Sequence, residues 1–142
     1  MVLFAALALV PLVDQGIKLV LRRGLGSRTA SLGHVGSVRI VSARTWIARL
    51  GARNSATVLF VLWLWSAAAL VLVSGWFPAS SLFAGLLLGG SLSHAIESCV
   101  RGSVTDYVCL RFWPAFNLAD VAITAGAIGL VGHVLLAVRP LA

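Results

Sequence analysis

Long apolar blocks separated by polar stretches set the pattern of this sequence. About 20 apolar residues span the hydrocarbon core of a bilayer, and four blocks approach or reach that length. We therefore predict an all-α membrane protein, a single polytopic domain over residues 1–142. Its four transmembrane helices are expected at residues 2–21, 56–73, 80–96 and 118–138.

Two polar connections join these helices, at residues 22–55 and 97–117. The first contains the strand-like run Val38–Val41, which predicts a small β-rich element between the first and second helices. The run Arg44–Arg53 follows it, with apolar and basic residues on separate helical faces. That pattern suits a short helix in the headgroup plane, and a solvated basic loop fits it equally well.

Two shorter stretches carry structural signals. Ser74–Pro78 combines glycine, proline and an aromatic pair, which predicts a turn that closes the second helix. Gly85–Ser93 is rich in small residues, which is typical of helices that pack closely inside a membrane.

Composition supports the membrane assignment and narrows the partners. Hydrophobic residues make up 60% of the chain and charged residues 11%, against about 25% charged residues in soluble domains. The net charge is +7, and the basic residues lie between apolar blocks. We therefore expect membrane phospholipids, rather than nucleic acid, as the anionic partner. No Cys/His cluster indicates a metal site, and no cofactor is expected.

The acidic residues gather at one side of the predicted bundle. Four spans bring the end of the first helix, both connections, the end of the third helix and the start of the fourth to one face. That face collects all four acidic residues and the only lysine: Asp14, Lys18, Glu97, Asp106 and Asp120. Charged groups near membrane depth are costly and usually mark function.

Each charged residue also has a structural interpretation. Asp14 and Lys18 are four residues apart and share a helix face, so they form an ion pair, and we favour a Lys18 side chain that reaches the headgroups. Asn117 is expected to cap the fourth helix with Asp120 at its third position. Asp106 would then be an acidic residue of the connection.

Taken together, Asp106 and Asp120 indicate more than capping. Two neighbouring carboxyl groups cannot both ionise easily, so they share a proton. The ionised one takes a proton from water, and the protonated one donates to the carbonyl oxygen of a peptide. Such a pair has the chemistry of an aspartic protease.

Three stretches carry a family resemblance. Asp14–Lys18 fits the pattern D-Q-x-x-K, Gly102–Tyr107 resembles G-x-V-x-D-[FY], and Pro114–Asp120 fits P-x-F-N-x-A-D. In order and spacing across four helices, these stretches resemble the lipoprotein signal peptidase (signal peptidase II) family, bacterial aspartyl proteases with four spans.

The resemblance implies roles and partners. Asp106 and Asp120 would be the catalytic pair, with Asn117, Asp14 and Lys18 shaping the site. The substrate would be a prolipoprotein whose cysteine already carries diacylglycerol, cut just before that cysteine. The protein would lie in the bacterial cytoplasmic membrane as a monomer, with the β-rich element and the site toward the extracytoplasmic face.

Two stretches depart from the family pattern. Where the family reads G-N-L-I-D-R, His94 replaces asparagine, Glu97 replaces aspartate and Ser98 replaces arginine. Arg44–Ala48 occupies the region of the family's N-x-G-A-A-F stretch. His94 and Glu97 are three residues apart, so we expect a replacement polar pair that shapes the site.

These departures leave a second hypothesis, a non-catalytic relative that acts as a membrane binding protein. A third, a proton-coupled transporter, would spread its acidic residues through the membrane depth.

The distribution of arginines conflicts with the orientation that the resemblance implies. The first connection and its flanks hold seven arginines, the second connection holds two, and the opposite side holds only Arg139. The positive-inside rule places the connections in the cytoplasm; we follow the resemblance, because its motifs are more specific than a charge count.

Overall fold

A computed structural model of the chain describes residues 1–26, 28–44 and 55–138. These residues form four helices, a short 3₁₀ turn and one three-stranded sheet. The helices are α1 (Val2–Gly24), α2 (Ser55–Trp76), α3 (Ser81–Arg101) and α4 (Leu118–Val138), the 3₁₀ turn is Pro78–Ser80, and the strands are β1 (Ala30–Ser31), β2 (Gly36–Arg44) and β3 (Ser103–Leu110).

The four predicted helices are present, and three of them are longer than expected. The range of α4 agrees with the prediction. The turn predicted at Ser74–Pro78 is wrong in its first half, because α2 continues through Trp76 and the Phe77 amide still donates to the Val73 carbonyl at 2.9 Å. The helix ends at Trp76, two residues before Pro78, because Phe77 leaves the helical conformation, as the residue before a proline tends to do, and Pro78 has no amide hydrogen to donate. Likewise, α3 extends to Arg101, so Glu97 is helical.

Three of these helices have the length and apolarity to cross a membrane. They are α1, the segment Pro78–Arg101 and the segment Leu118–Ala137. The apolar part of α2 within the described residues, Phe60–Trp76, is shorter. The chain is therefore a multi-pass membrane protein, and the crossing by α2 stays a prediction.

Helix α3 lies at the centre, and glycines let its neighbours approach. A Cβ atom added to Gly85 would lie 2.6 Å from the Leu3 carbonyl of α1, and one added to Gly90 would lie 2.6 Å from the Ala119 carbonyl of α4. Real side chains do not fit at such distances, so the two neighbouring backbones pack directly on α3. This confirms the close packing predicted from Gly85–Ser93.

Two further contacts hold the bundle. In α4, a Cβ atom on Gly126 would lie 2.7 Å from backbone atoms of both Phe83 and Leu87. In α2, the Trp63 indole donates to the Ser91 hydroxyl at 3.1 Å. Helix α3 is thus packed against all three of the other helices, and it fixes the depth at which their polar residues meet.

The sheet is antiparallel, in the order β1-β2-β3. The predicted run Val38–Val41 lies within β2, and Val41 pairs with Asp106 of β3. The sheet therefore joins both polar connections. The sequence placed the β-rich element between the first and second helices and showed a strand-like run at Gly102–Tyr107 in the second connection, without predicting that the two pair. Gly102, in a left-handed conformation at φ +68°, caps the end of α3 and lies directly before β3.

Part of the first connection lies outside the described residues. The headgroup-plane helix predicted at Arg44–Arg53 falls there from residue 45 onward, as does most of Arg44–Ala48. Arg139 also falls outside the described residues. The difference in the number of arginines between the two sides of the membrane therefore stays a prediction from the sequence.

Candidate active site

A cluster of buried charges joins α1 to α3. The Lys18 ammonium lies 2.7 Å from Asp14 Oδ2 and 2.8 Å from Glu97 Oε2, and all three side chains are 0% exposed. The predicted ion pair of Asp14 and Lys18 is confirmed, but the expectation that Lys18 reaches the headgroups is wrong. Two carboxylates inside the bundle hold the ammonium there, because they offset the loss of its hydration.

Three further residues complete this cluster. Arg22 donates to Glu97 Oε1 and, at 2.6 Å, to the Thr105 hydroxyl. The Thr105 amide donates to Glu97 at 3.1 Å, and the Ser93 hydroxyl donates to Asp14 at 2.6 Å. The two acidic and two basic side chains balance in charge.

Arg22 and Ser93 were missed as site residues from the sequence. Arg22 follows Lys18 by four residues, and Ser93 precedes Glu97 by four. Residues four apart lie on the same helix face. That spacing is the signal that could have found them.

Asn117 is the centre of a second cluster, where β3 meets the start of α4. It is fully buried, at 0% exposure. Its backbone amide donates to Asp120 Oδ2 at 2.9 Å, and the Asp120 amide donates to Asn117 Oδ1 at 3.0 Å. These reciprocal bonds form a capping box, which confirms the predicted positions of both residues at the helix start.

The side-chain amide of Asn117 extends this cluster to β3. Nδ2 donates to Asp106 Oδ1 at 2.7 Å and to the Thr105 carbonyl at 3.2 Å. Asp106 and Asp120, 14 residues apart in sequence, are therefore both hydrogen-bonded to the same residue. Burial and, next, the neighbouring charge of Asp120 raise the pKa of Asp106, while the bond from Asn117 opposes that shift.

His94 points from α3 at the same cluster. Its Nε2 atom lies 3.3 Å from Asn117 Oδ1 and 3.5 Å from Asp120 Oδ1. The predicted pair of His94 and Glu97 is wrong: among the described contacts, Glu97 binds Lys18 and Arg22 instead. Two side chains that are three residues apart on an α-helix point in directions about 60° apart. Here His94 faces α4 and Glu97 faces α1.

Tyr107 links β3 to the start of α4. The Leu118 amide donates to its hydroxyl at 3.0 Å. The side chain is 7% exposed, and this burial raises the pKa of Tyr107. The aromatic position of the G-x-V-x-D-[FY] pattern thus has a structural task, which we had not assigned from sequence.

An apolar groove opens beside Asp120. It has a volume of about 380 Å³ and follows α4 toward the middle of the helix. Its lining is Trp113, Phe116, Asp120, Val121, Thr124, Ala125 and Ile128. Among the described residues, no group of three or more His, Cys, Asp or Glu side chains is arranged to hold a metal ion.

Sequence comparisons point to one family. A family model described as Signal peptidase (SPase) II matches residues 6–136. A lipoprotein signal peptidase of Syntrophomonas wolfei is 46% identical over 59 residues, which cover 42% of this chain and 40% of that protein. One of Methylocella silvestris is 36% identical over 97 residues, covering 63% of this chain and 52% of that protein. The matched regions thus span about half or less of these relatives.

Solved structures show the same fold. One, described as a bacterial membrane enzyme determined by the in meso method at 2.3 Å, has a TM-score of 0.80 and 19% identity, covering 99% of this chain and 91% of that one. A second, with the same description at 1.9 Å, has a TM-score of 0.77 and 20% identity, covering 94% and 92%. At these identities the likeness concerns the fold alone.

Proposed function

The chain belongs to the signal peptidase II family, and from that premise we propose that it is an aspartyl endopeptidase that removes signal peptides from lipid-modified prolipoproteins. The observation that carries the proposal is the shared hydrogen bonding of Asp106 and Asp120 to Asn117. One buried residue binds both carboxyl groups, and the charge of Asp120 contributes to the raised pKa of Asp106; both observations support a pair that shares a proton.

The two aspartates would take different roles. Asp120 Oδ2 accepts from the Asn117 amide, and its Oδ1 faces His94, so each carboxyl oxygen of Asp120 faces a group that can donate a hydrogen bond. The raised pKa of Asp106 favours its protonated form. Asp120 would therefore be the general base and Asp106 the general acid.

The hydrolysis then balances without a covalent intermediate. Water attacks the scissile carbonyl carbon and passes a proton to Asp120, while Asp106 passes its proton to the carbonyl oxygen. The resulting tetrahedral diol collapses as its hydroxyl proton returns to Asp106 and the C–N bond breaks. Asp120 then protonates the departing amine. No residue outside the pair has to form a bond to the substrate.

The groove supports a substrate that is anchored in lipid. It is lined mostly by apolar side chains, and Asp120 lies at one end of it. Acyl chains or an apolar signal peptide could lie along α4 with the cleavage point at the pair. Under this proposal the protein lies in the bacterial cytoplasmic membrane, surrounded by phospholipid, as a monomer whose site opens toward the extracytoplasmic face.

The test is cleavage of a lipid-modified precursor by the full chain in phospholipid vesicles, with Asp106→Asn and Asp120→Asn compared in turn. General acid–base groups contribute about 10²- to 10⁴-fold, so each substitution should lower kcat by at least about 100-fold. Thermal unfolding of both variants controls for folding, and the same precursor without its lipid controls for specificity. Full activity in either variant would overturn the proposal.

The motif departures favour one alternative, a relative that binds lipidated precursors without cutting them. His94 and Ser98 stand where the family pattern has asparagine and arginine. That alternative predicts that the wild-type chain co-purifies with the lipidated precursor, leaves it intact, and fails to rescue a bacterial strain that lacks the peptidase.

A further inference from the structure

His94 contacts the proposed catalytic pair from a helix that contributes neither aspartate. It lies on α3, and Nε2 approaches Asn117 Oδ1 at 3.3 Å and Asp120 Oδ1 at 3.5 Å. Its side chain is 23% exposed and that of Asp120 39%. The imidazole is thus partly shielded from water and close enough to influence both the orientation and the charge of Asp120.

The hydrogen-bond network determines that Nε2 carries a hydrogen. Nδ2 of Asn117 donates to the Thr105 carbonyl and to Asp106, and a carbonyl can only accept. This fixes the amide orientation, so the atom that faces His94 is the Asn117 oxygen, also an acceptor. Nε2 must therefore be a donor, in the neutral tautomer protonated there or in the imidazolium.

The charged residues nearby leave His94 as the side chain that can act as a cation beside Asp120. Asp120 on α4 lies 3.5 Å from His94, and Asp106 on β3 feels its charge. Among the other charged groups, Glu97 on α3 and Asp14, Lys18 and Arg22 on α1 bind one another. Helix α2 contributes no charged residue. Lys18 is already bound between two buried carboxylates. A proton on the imidazole therefore acts chiefly on the two carboxyl groups of the pair.

We propose that His94 is a positioning residue that holds Asp120 in its ionised form, and that the imidazolium extends cleavage to lower pH. The inference rests on the proposed peptidase function. An opposite charge within about 4–6 Å favours the charged form of a carboxyl group. Asp120 stops acting as a base when it is protonated, and an imidazolium 3.5 Å away opposes that protonation.

The effect is confined to one side of the pH profile. Histidine side chains in general gain their charge between about pH 8 and 5, which is above the range in which carboxyl groups in general take up a proton. In alkaline solution the imidazole is neutral and only donates its hydrogen bond. Removing the charge should therefore move the acid limb of activity and leave the alkaline limb in place.

The first test is the pH profile of kcat/KM for the lipidated precursor, for the wild type, His94→Asn and His94→Gln. Both variants keep a donor and lose the charge. We expect their acid limb to rise by about one pH unit, with the alkaline limb unchanged. The control is His34→Asn, since His34 is an exposed residue between β1 and β2; this variant should follow the wild type.

Other profiles would overturn the inference. An acid limb that stays in place or moves to lower pH means that His94 does not hold the charge of Asp120. A uniform loss of activity at every pH means that it only supports the structure.

A second measurement does not depend on cleavage. The imidazole signal of His94, assigned by its loss in His94→Asn, can be titrated by NMR in micelles. In Asp120→Asn its midpoint should differ from that of the wild type, because the anionic partner is gone; an unchanged midpoint refutes the ion pair. If the wild type cleaves no precursor while this shift is observed, the proposed function fails and the pairing of His94 stands.

Discussion

Replacing Lys18 by methionine tests the buried charge cluster most directly. The ammonium lies 2.7 Å from Asp14 and 2.8 Å from Glu97, with all three side chains fully buried. Methionine has a similar length but no charge, so the variant leaves two buried carboxylates without their shared cation. Removing one partner of a buried ion pair costs about 3–5 kcal/mol, and we expect the free energy of unfolding of Lys18→Met to fall by about that amount.

The double variant Asp14→Asn/Lys18→Met separates charge from packing. It removes one negative and one positive charge together, while Glu97 keeps its bonds from Arg22 and the Thr105 amide. Removing both partners of a buried pair is far less costly than removing one. We therefore expect the double variant to be more stable than Lys18→Met alone.

The assay is denaturant unfolding in detergent micelles, followed by the fluorescence of the five tryptophans. Arg23→Met is the matched control, since Arg23 is exposed near the end of the same helix. The reasoning is refuted if Lys18→Met is as stable as Arg23→Met. It is also refuted if the double variant is less stable than Lys18→Met, because packing rather than charge would then dominate.

Three further substitutions test the packing, the groove and the pKa of the general acid. Gly126→Ala places a methyl group 2.7 Å from two backbone atoms of α3, so the melting temperature and the cleavage rate of this variant should fall. In the control Gly132→Ala, on the same helix, the methyl group meets open space, and the variant should be more stable than the wild type by up to about 1 kcal/mol. Ile128→Trp fills the groove beside Asp120 and should raise KM for the lipidated precursor, while Leu135→Trp, two turns further along α4 and 64% exposed, should leave KM unchanged. Folding raises the pKa of Asp106 above 3.8, so the folded state is stabilised while this carboxyl group is protonated. That stabilisation is lost as the pH rises through the raised pKa. Between pH 4 and 8, the melting temperature of Asp106→Asn should therefore fall less than that of the wild type.

The start of α4 was predictable from sequence because its signals are local. Asn117 and Asp120 are three residues apart, which is the spacing of a capping box, and the structure has both bonds. The close packing of α3 was also predictable, since the glycines at 85, 89 and 90 form one short run. In both cases one segment of the chain carries the whole pattern.

The contacts that were missed depend on the rotation and pairing of distant elements. The spacing of His94 and Glu97 suggested one shared face, but α1 and α4 pack on different sides of α3 and bind one residue each. Lys18 was expected at the headgroups because sequence does not show that Glu97 lies 2.8 Å from it. Similarly, β3 was visible only as a strand-like run, since the residues that it pairs with in β2 lie 59 to 74 positions away in the sequence.

Asn117 has a consequence for the biogenesis of the chain. Its hydrogen bonds and contacts join β3, α3 and α4. The two aspartates are therefore bound to the same residue only when these three elements have packed together. A chain in which α4 has yet to insert contains Asp106 but lacks Asn117 and Asp120 beside it. Under the proposed function, peptidase activity therefore arises only after α4 has packed against β3 and α3, and a copy without α4 in place does not cleave the membrane proteins around it.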